Sequence, residues 1–325
     1  MFHTVLKTKM RIGWNFVAAI ALPLLLVLCA GYSPVQAATK GVRQKTYHSP
    51  EEAVKALVDA MRSDNIKQMS IILGPQSKSI ISSGDKIADK QILEDFIKQY
   101  DEKNRIEMVS DFSAVLSVGE KDWPMPIPIV KKGQRWLFDT KAGKDEILNR
   151  RIGRNELAVI KVCEAYVDAQ QEFALMDTDG DGLFEYAQTF RSSPGKKDGL
   201  YWETKEGQES SPLGPFVADA RKEGYLKEPA QNRPRPYHGY YYKILKGQGV
   251  NAPGGAYDYV VNGSMIGGFA LVAYPAKYGS TGIMTFIVNQ NGIVYQKNFG
   301  KNTTRIAEGL KLFDPDNTWT KVKAE

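Results

Sequence analysis

"NELAVIKVCEAYVDAQQEFALMDTDGDGLFEY", residues 155–186, holds the two features that decide the fold. Its first two thirds read as an amphipathic helix from about Asn155 to Met176. Leu157, Ile160, Cys163, Tyr166, Val167, Phe173 and Ala174 recur at the spacing of one helical face. The helix runs directly into "DTDGDGLFEY", which crowds Asp177, Asp179, Asp181 and Glu185 into nine residues. Such carboxylates repel one another unless a cation sits among them. Counted from Asp177, the aspartates fall at positions 1, 3 and 5, Gly182 at the tight-turn position 6, and Leu183 at position 7, where a backbone carbonyl would ligate. This is the first half of an EF-hand calcium loop, entered from a helix. The second half departs from it: Gln188 stands where a bidentate Glu belongs, and "FEYAQTF" is extended in pattern. The expectation is a loop of helix, DxDxDG, strand type, with Asp177, Asp179, Asp181, the Leu183 carbonyl and Glu185 holding Ca²⁺ in a structural role. Oxygen ligands without nearby His or Cys suit a hard cation. The missing Glu sets a modest affinity, on the order of 10⁻⁴ to 10⁻³ M.

Beyond the loop, "SPLGPFVADARKEGYL" predicts a short helix. "GYYYKIL", "GGFALVAY", "GIMTFIVN" and "GIVYQKN" predict antiparallel strands, the last two joined at Asn291-Gly292 by a hairpin turn. On the other side, Ser49, Pro50 and Glu52 form the start signal of a helix carrying Val54, Leu57, Val58 and Met61 on one face. A second helix carries Leu93, Phe96, Ile97 and Tyr100. Between them "ILGPQSKSIISSGD" reads as broken, by Gly74-Pro75 and Gly84. After Asn104 the pattern turns to strands, with a turn at Lys132-Gly133. The fold class is therefore α+β. N-terminal helices and a curved antiparallel sheet span 45–150. A long helix packed on an antiparallel meander, with the acidic calcium loop, spans 153–322. A chain of 325 residues exceeds one ordinary core, which agrees with two domains.

Residues 1–37 read as a signal peptide cleaved after Ala37. Lys7, Lys9 and Arg11 precede an apolar run from Trp14 to Ala30, and Val35-Gln36-Ala37 supplies the small-x-small site. The competing expectation is that residues 14–30 stay as an anchor. No later segment is long and apolar enough to span a bilayer. The sequence thus predicts a periplasmic or secreted protein without a membrane span after cleavage. Without Lys7, Lys9 and Arg11 the 43 Lys and Arg fall to 40, against 37 Asp and Glu. That small, evenly spread excess excludes a nucleic-acid partner. Cys163 alone remains after the leader, so no internal disulfide is possible.

Catalytic signals are sparse. His48 reads as a surface residue. His238, in "RPYHGYYYKIL", reads as structural and is the one candidate base. Cys163 lies on the apolar stripe, as a buried thiol does, and no serine sits in a nucleophile elbow. No catalytic or organic-cofactor residue is therefore assigned. Tyr237, Tyr240, Tyr241, Tyr242, Tyr257 and Tyr259 with Trp202 are dense in the second half, a pattern of sheet packing or of a recognition surface.

Several stretches carry a resemblance. "DWPMPIPIVKKGQRWLFDTKAGKDEILNRRIGRNEL", "SPLGPFVADARKEGY", "YHGYYYKIL" and "GGAYDYVVNGSMIGGFALVAYPAKYGSTGIMTFIVNQNGIVYQKNFG" resemble the bacterial exported family classed as domain of unknown function 2950. The resemblance implies an envelope or secreted protein and no particular activity. The first domain is similar in order to nuclear-transport-factor-like cones, and the second resembles the globular heads of pilin-like proteins. The functional expectation is a calcium-stabilised binding or structural module of the cell envelope, acting on an envelope protein or polymer. The rivals are a secreted hydrolase with a site near His238, and an accessory component of a secretion or pilus-like system.

Overall fold

A computed structural model of the chain describes residues 43–178, 180–205, 207–208, 210–225 and 235–323. The leader, residues 1–37, lies outside them, as does Asp179 of the acidic loop. Among the described residues the architecture is α+β, with seven α-helices and antiparallel sheets.

Helix α1 (Pro50–Arg62) starts as its sequence dictates: Ser49 accepts from the Glu52 amide and Pro50 takes the first turn. It buries Val54, Leu57 and Val58. Helix α2 (Ile66–Leu73) is capped by Asn65 and stops at Gly74, whose φ of +84° no β-carbon residue adopts readily. The broken stretch expected here is thus partly helical, since the glycine and proline end a helix rather than prevent one. A single turn, α3 (Lys78–Ile81), precedes α4 (Lys86–Glu102), which Asp85 caps. Strands β1 (Asn104–Ser110), β2 (Ser113–Val118), β3 (Trp123–Pro124), β4 (Ile129–Lys132) and β5 (Arg135–Phe138) form one antiparallel sheet, ordered β1-β2-β4-β5 with β3 beside β2. Its inner face (Ala114, Leu116, Ile129, Phe138) meets α1 and α2 in a first buried cluster.

Helix α5 runs unbroken from Thr140 to Ala174. The sequence suggested a start near Asn155. The preceding "TKAGKDEILNRRIGR" has no apolar stripe of its own, yet Asp139 caps it by accepting from the Ala142 amide. At Gly143 the helix comes so close to the Pro126 carbonyl that an added β-carbon would stand 2.3 Å from its oxygen. On the C-terminal half Val159, Cys163, Tyr166, Val167 and Phe173 are buried, but Leu157, expected on the same stripe, is exposed.

After α6 (Gly214–Lys222) come β6 (Tyr240–Leu245), two minor pairs, β7 (Gly247–Gln248) with β8 (Tyr257–Asp258) and β9 (Val260–Val261) with β10 (Ser264–Met265), and then β11 (Ala270–Pro275), β12 (Thr285–Asn289), β13 (Tyr295–Lys297), α7 (Thr303–Gly309) and β14 (Thr320–Lys321). The main C-terminal sheet is the meander β14-β13-β12-β11-β6. β11 and β12 are buried throughout. With α5 they form a second cluster around Tyr166, Tyr240, Tyr259, Phe269 and Phe286. Both clusters belong to one compact unit, Lys40–Glu325.

Candidate functional site

The four predicted ligands among the described residues of the acidic loop are placed as follows. Asp177 sits at φ +40°, followed by Gly180 (+76°) and Gly182 (+81°). Its Oδ1 accepts from the amides of Gly180 (3.1 Å) and Gly182 (3.4 Å). Asp181 Oδ1 accepts from Leu183 N at 2.7 Å. The loop therefore folds around its own carboxylates. Leu183 and Phe184 are exposed. Glu185 is half-buried, in a recess shared with Lys196, Lys197 and Asp198. No group of three or more His, Cys, Asp or Glu side chains converges as a metal site among the described residues. Gln188, at position 12, is turned away to the neighbouring strands, donating to the Gly263 carbonyl (2.6 Å) and accepting from Lys246 (2.8 Å).

His238 lies at φ +47° in a nest of rings, 4.1 Å from Tyr237 and 5.8 Å from Tyr225 between centroids. Its Nε2 is 3.6 Å from Glu223 Oε2, outside hydrogen-bond reach. Burial lowers its pKa, opposed by Glu223 and Asp85, which keeps the imidazole neutral. Beneath it, the buried Asp85 uses every acceptor. Oδ1 caps α4 through the Ile87 and Ala88 amides, while Oδ2 takes the Tyr225 hydroxyl (2.9 Å) and the Gly239 amide (3.0 Å). Burial drives the phenols of Tyr225 and Tyr237 well above their usual range. Cys163 is fully buried and its thiol is likewise raised by burial, so it is inert. Tyr240 lies inside the core and Tyr242 packs half-buried against it, so this face of β6 belongs to the core.

The concavity of the first half is more telling. A cavity of about 300 Å³ opens between α1–α4, the sheet and the N-terminal part of α5. That volume is at the lower end of the range of small-molecule sites, roughly 300–1,000 Å³. Its walls are mainly apolar: Met61, Met69, Leu73, Ile80, Leu93 and Phe96 on the helices, Val118, Met125 and Ile127 on the sheet side, and Ile147 on α5. Half-exposed Trp123 stands at its rim, with Arg150 stacked 4.8 Å from the indole. The polar lining is mainly charged, with Asp89, Asp95 and the amide Gln99 on α4 and Arg150, Arg151 and Arg154 on α5.

Arg151 is only 5% exposed. Its two terminal nitrogens hold the Ser79 (2.7 Å) and Ile80 (2.5 Å) carbonyls at the end of α3, and its Nε has no partner. Burial depresses its pKa, and attraction to Asp89 counters this. Asp89 Oδ2 accepts from the Ser83 amide at 2.8 Å, while its Oδ1 is buried without a partner. Burial raises its carboxyl, against Ser83 and Arg151. Sequence reasoning missed this site because its residues are scattered over 61–154 and no motif links them. The one available signal was the cluster Arg150, Arg151, Arg154, in which Arg154 follows the other two at i+4 and i+3 and so gathers positive charge on one side of a helix.

The model of the family described as "Protein of unknown function (DUF2950)" matches residues 44–322. No curated protein and no solved structure matches the chain. The likeness of its second half to pilin heads thus has no solved structure behind it.

Proposed function

Because the chain belongs to the DUF2950 family, whose description carries no activity, its role rests on its own residues, and we propose that it is an exported binding module that holds a small apolar ligand in the cavity between α1–α4, the sheet and α5. The observation that carries this reading is the cavity itself: an open, largely apolar space whose few polar groups include a buried guanidinium with an unused donor. An apolar void of this size weakens the surrounding packing, and a ligand restores those contacts. The sequence-based reading of a cleaved leader places the module in the periplasm or outside the cell, where an envelope protein or polymer is the partner. Ca²⁺ at Asp177, Asp179, Asp181, the Leu183 carbonyl and Glu185 pins the end of α5 in a chain whose lone cysteine among the described residues, Cys163, is free. What supports the calcium is the 1-3-5 spacing and the glycines at positive φ; a calcium-dependent melting temperature tests it.

The cavity is tested with an uncharged fluorescent probe, N-phenyl-1-naphthylamine. Saturable binding with enhanced emission is expected, and it should be lost in Ile147→Trp, which fills the space from α5. Absence of saturable binding by the folded mature protein sinks the reading. A hydrolytic role for His238 draws on its neutral imidazole and the nearby Glu223. The 3.6 Å gap and the surrounding phenols fit a packed structural histidine better.

A further inference from the structure

We infer that the cavity's ligand is an anionic amphiphile: an apolar chain seated among the side chains of α1, α4 and the sheet, with one carboxylate or phosphate head at the arginines of α5. This rests on the binding role proposed above and adds the chemistry of the ligand. Three observations carry it.

The first is Arg151. It is nine-tenths buried at the cavity wall, and its two hydrogen bonds go to backbone carbonyls rather than to a carboxylate. A buried guanidinium is costly unless paired, and its Nε–H is left without an acceptor. The second is the charge pattern. Arg154 is exposed one turn from Arg150 and Arg151, and like charges at these spacings oppose one another unless an anion lies between them. Glu146 offsets Arg150 at 2.6 Å, and no corresponding carboxylate pairs with Arg154 among the described residues. The third is the arrangement. Buried Arg151, half-exposed Trp123 and exposed Arg154 all line the same cavity. An apolar chain can therefore lie inside while a charged head meets both buried and solvent-facing donors. Arginine suits such heads because its planar donor set matches carboxylate and phosphate.

Two carboxylates of α4 in the same lining oppose such a head, the exposed Asp95 and the half-buried Asp89. Asp89 gives the proposal its sign test. An anionic head is repelled by Asp89, whereas a cationic head would be held by it.

The experiment uses the mature full-length protein with N-phenyl-1-naphthylamine as reporter. It measures displacement by decanoate, decyl phosphate, decanol and decyltrimethylammonium at equal ionic strength. Decanoate, decyl phosphate or both should displace the probe at concentrations about tenfold below decanol, as a charge-assisted bond in a desolvated site allows. Whichever of the two is the more effective identifies the head. Arg154→Gln, at an exposed position, should cut that advantage about threefold. Asp89→Asn should enlarge it. Arg151→Lys should cut it more than Arg154→Gln; if that variant does not fold, Arg154→Gln and Asp89→Asn decide. Equal displacement by decanol, tighter displacement by decyltrimethylammonium, or a weaker anion response in Asp89→Asn overturns the inference while probe binding survives. Loss of probe binding in the parent protein removes the cavity reading itself.

Discussion

At the scale of single residues, the informative ones are those whose burial conflicts with their chemistry. His238 shows this most simply. Its folded pKa lies below the ordinary value near 6.5 because burial penalises the imidazolium. Between that lowered value and about 6.5 the unfolded chain binds the proton more readily. The stabilising contribution is therefore complete above about 6.5 and is lost as the pH falls. His238→Asn tolerates the positive φ and removes the titration. We expect the melting temperature of the parent to fall more steeply than that of the variant between pH 7.5 and 5.5, as scanned by calorimetry. Parallel slopes would show that His238 does not contribute to acid sensitivity. Sequence could place His238 among tyrosines but could not show its tilted ring contact with Tyr237, because that contact depends on the turn at 237–239. Arg151 was hidden for a related reason. A run "NRRIGRN" reads as solvated charge, and only the packing of α3 against α5 buries one of its arginines.

Among the elements, much was legible where local chemistry decides. Ser49 and Glu52 mark the start of α1, Asn291-Gly292 marks the β12–β13 hairpin, and Lys132-Gly133 marks the β4–β5 turn. The parts that were not legible are those fixed by distant partners. Helix α2 was obscured by Gly74-Pro75, and the first half of α5 has no apolar stripe because it packs through Gly143 and Arg151 instead. The cavity has no signature at all, since its walls come from seven elements. The acidic loop sits between these cases. Its spacing is plain in sequence, and its folded form already ties Asp177 and Asp181 to backbone amides. With a Kd near 10⁻⁴ M, about 1 mM Ca²⁺ stabilises the folded state by about 1.4 kcal/mol, a rise of roughly 3–5 °C in Tm. Asp179→Ala should abolish that rise. A Tm indifferent to calcium in the parent protein refutes the ion.

For the molecule as a whole, the two buried clusters are joined by few but specific contacts. Asp85 at the start of α4 accepts from Tyr225 and Gly239, and Gln91 Nε2 donates to the Glu223 carbonyl at 2.9 Å. Asp85→Ala would leave two amides at the α4 start, the Tyr225 hydroxyl and the Gly239 amide without their acceptor, at a cost of about 3 kcal/mol or more. The parent should melt in one calorimetric transition and the variant in a broadened or split one, because the lost bonds connect the clusters. A simple downward shift with unchanged width would mean that Asp85 stabilises without coupling them.

Helix α5 gives this coupling a mechanical form. Its 35 residues extend about 50 Å at 1.5 Å per residue. The arginines of the cavity lie on one part of this rod and the acidic loop follows its far end. The gap between the two expected domain spans, 150–153, therefore falls inside this continuous helix, a stretch with no loose backbone to bend or cleave. A fragment ending there would stop in mid-helix, with Arg151 beside the break. A ligand that tightens the near part of the rod and an ion that fixes its far end would act on the same length of continuous backbone.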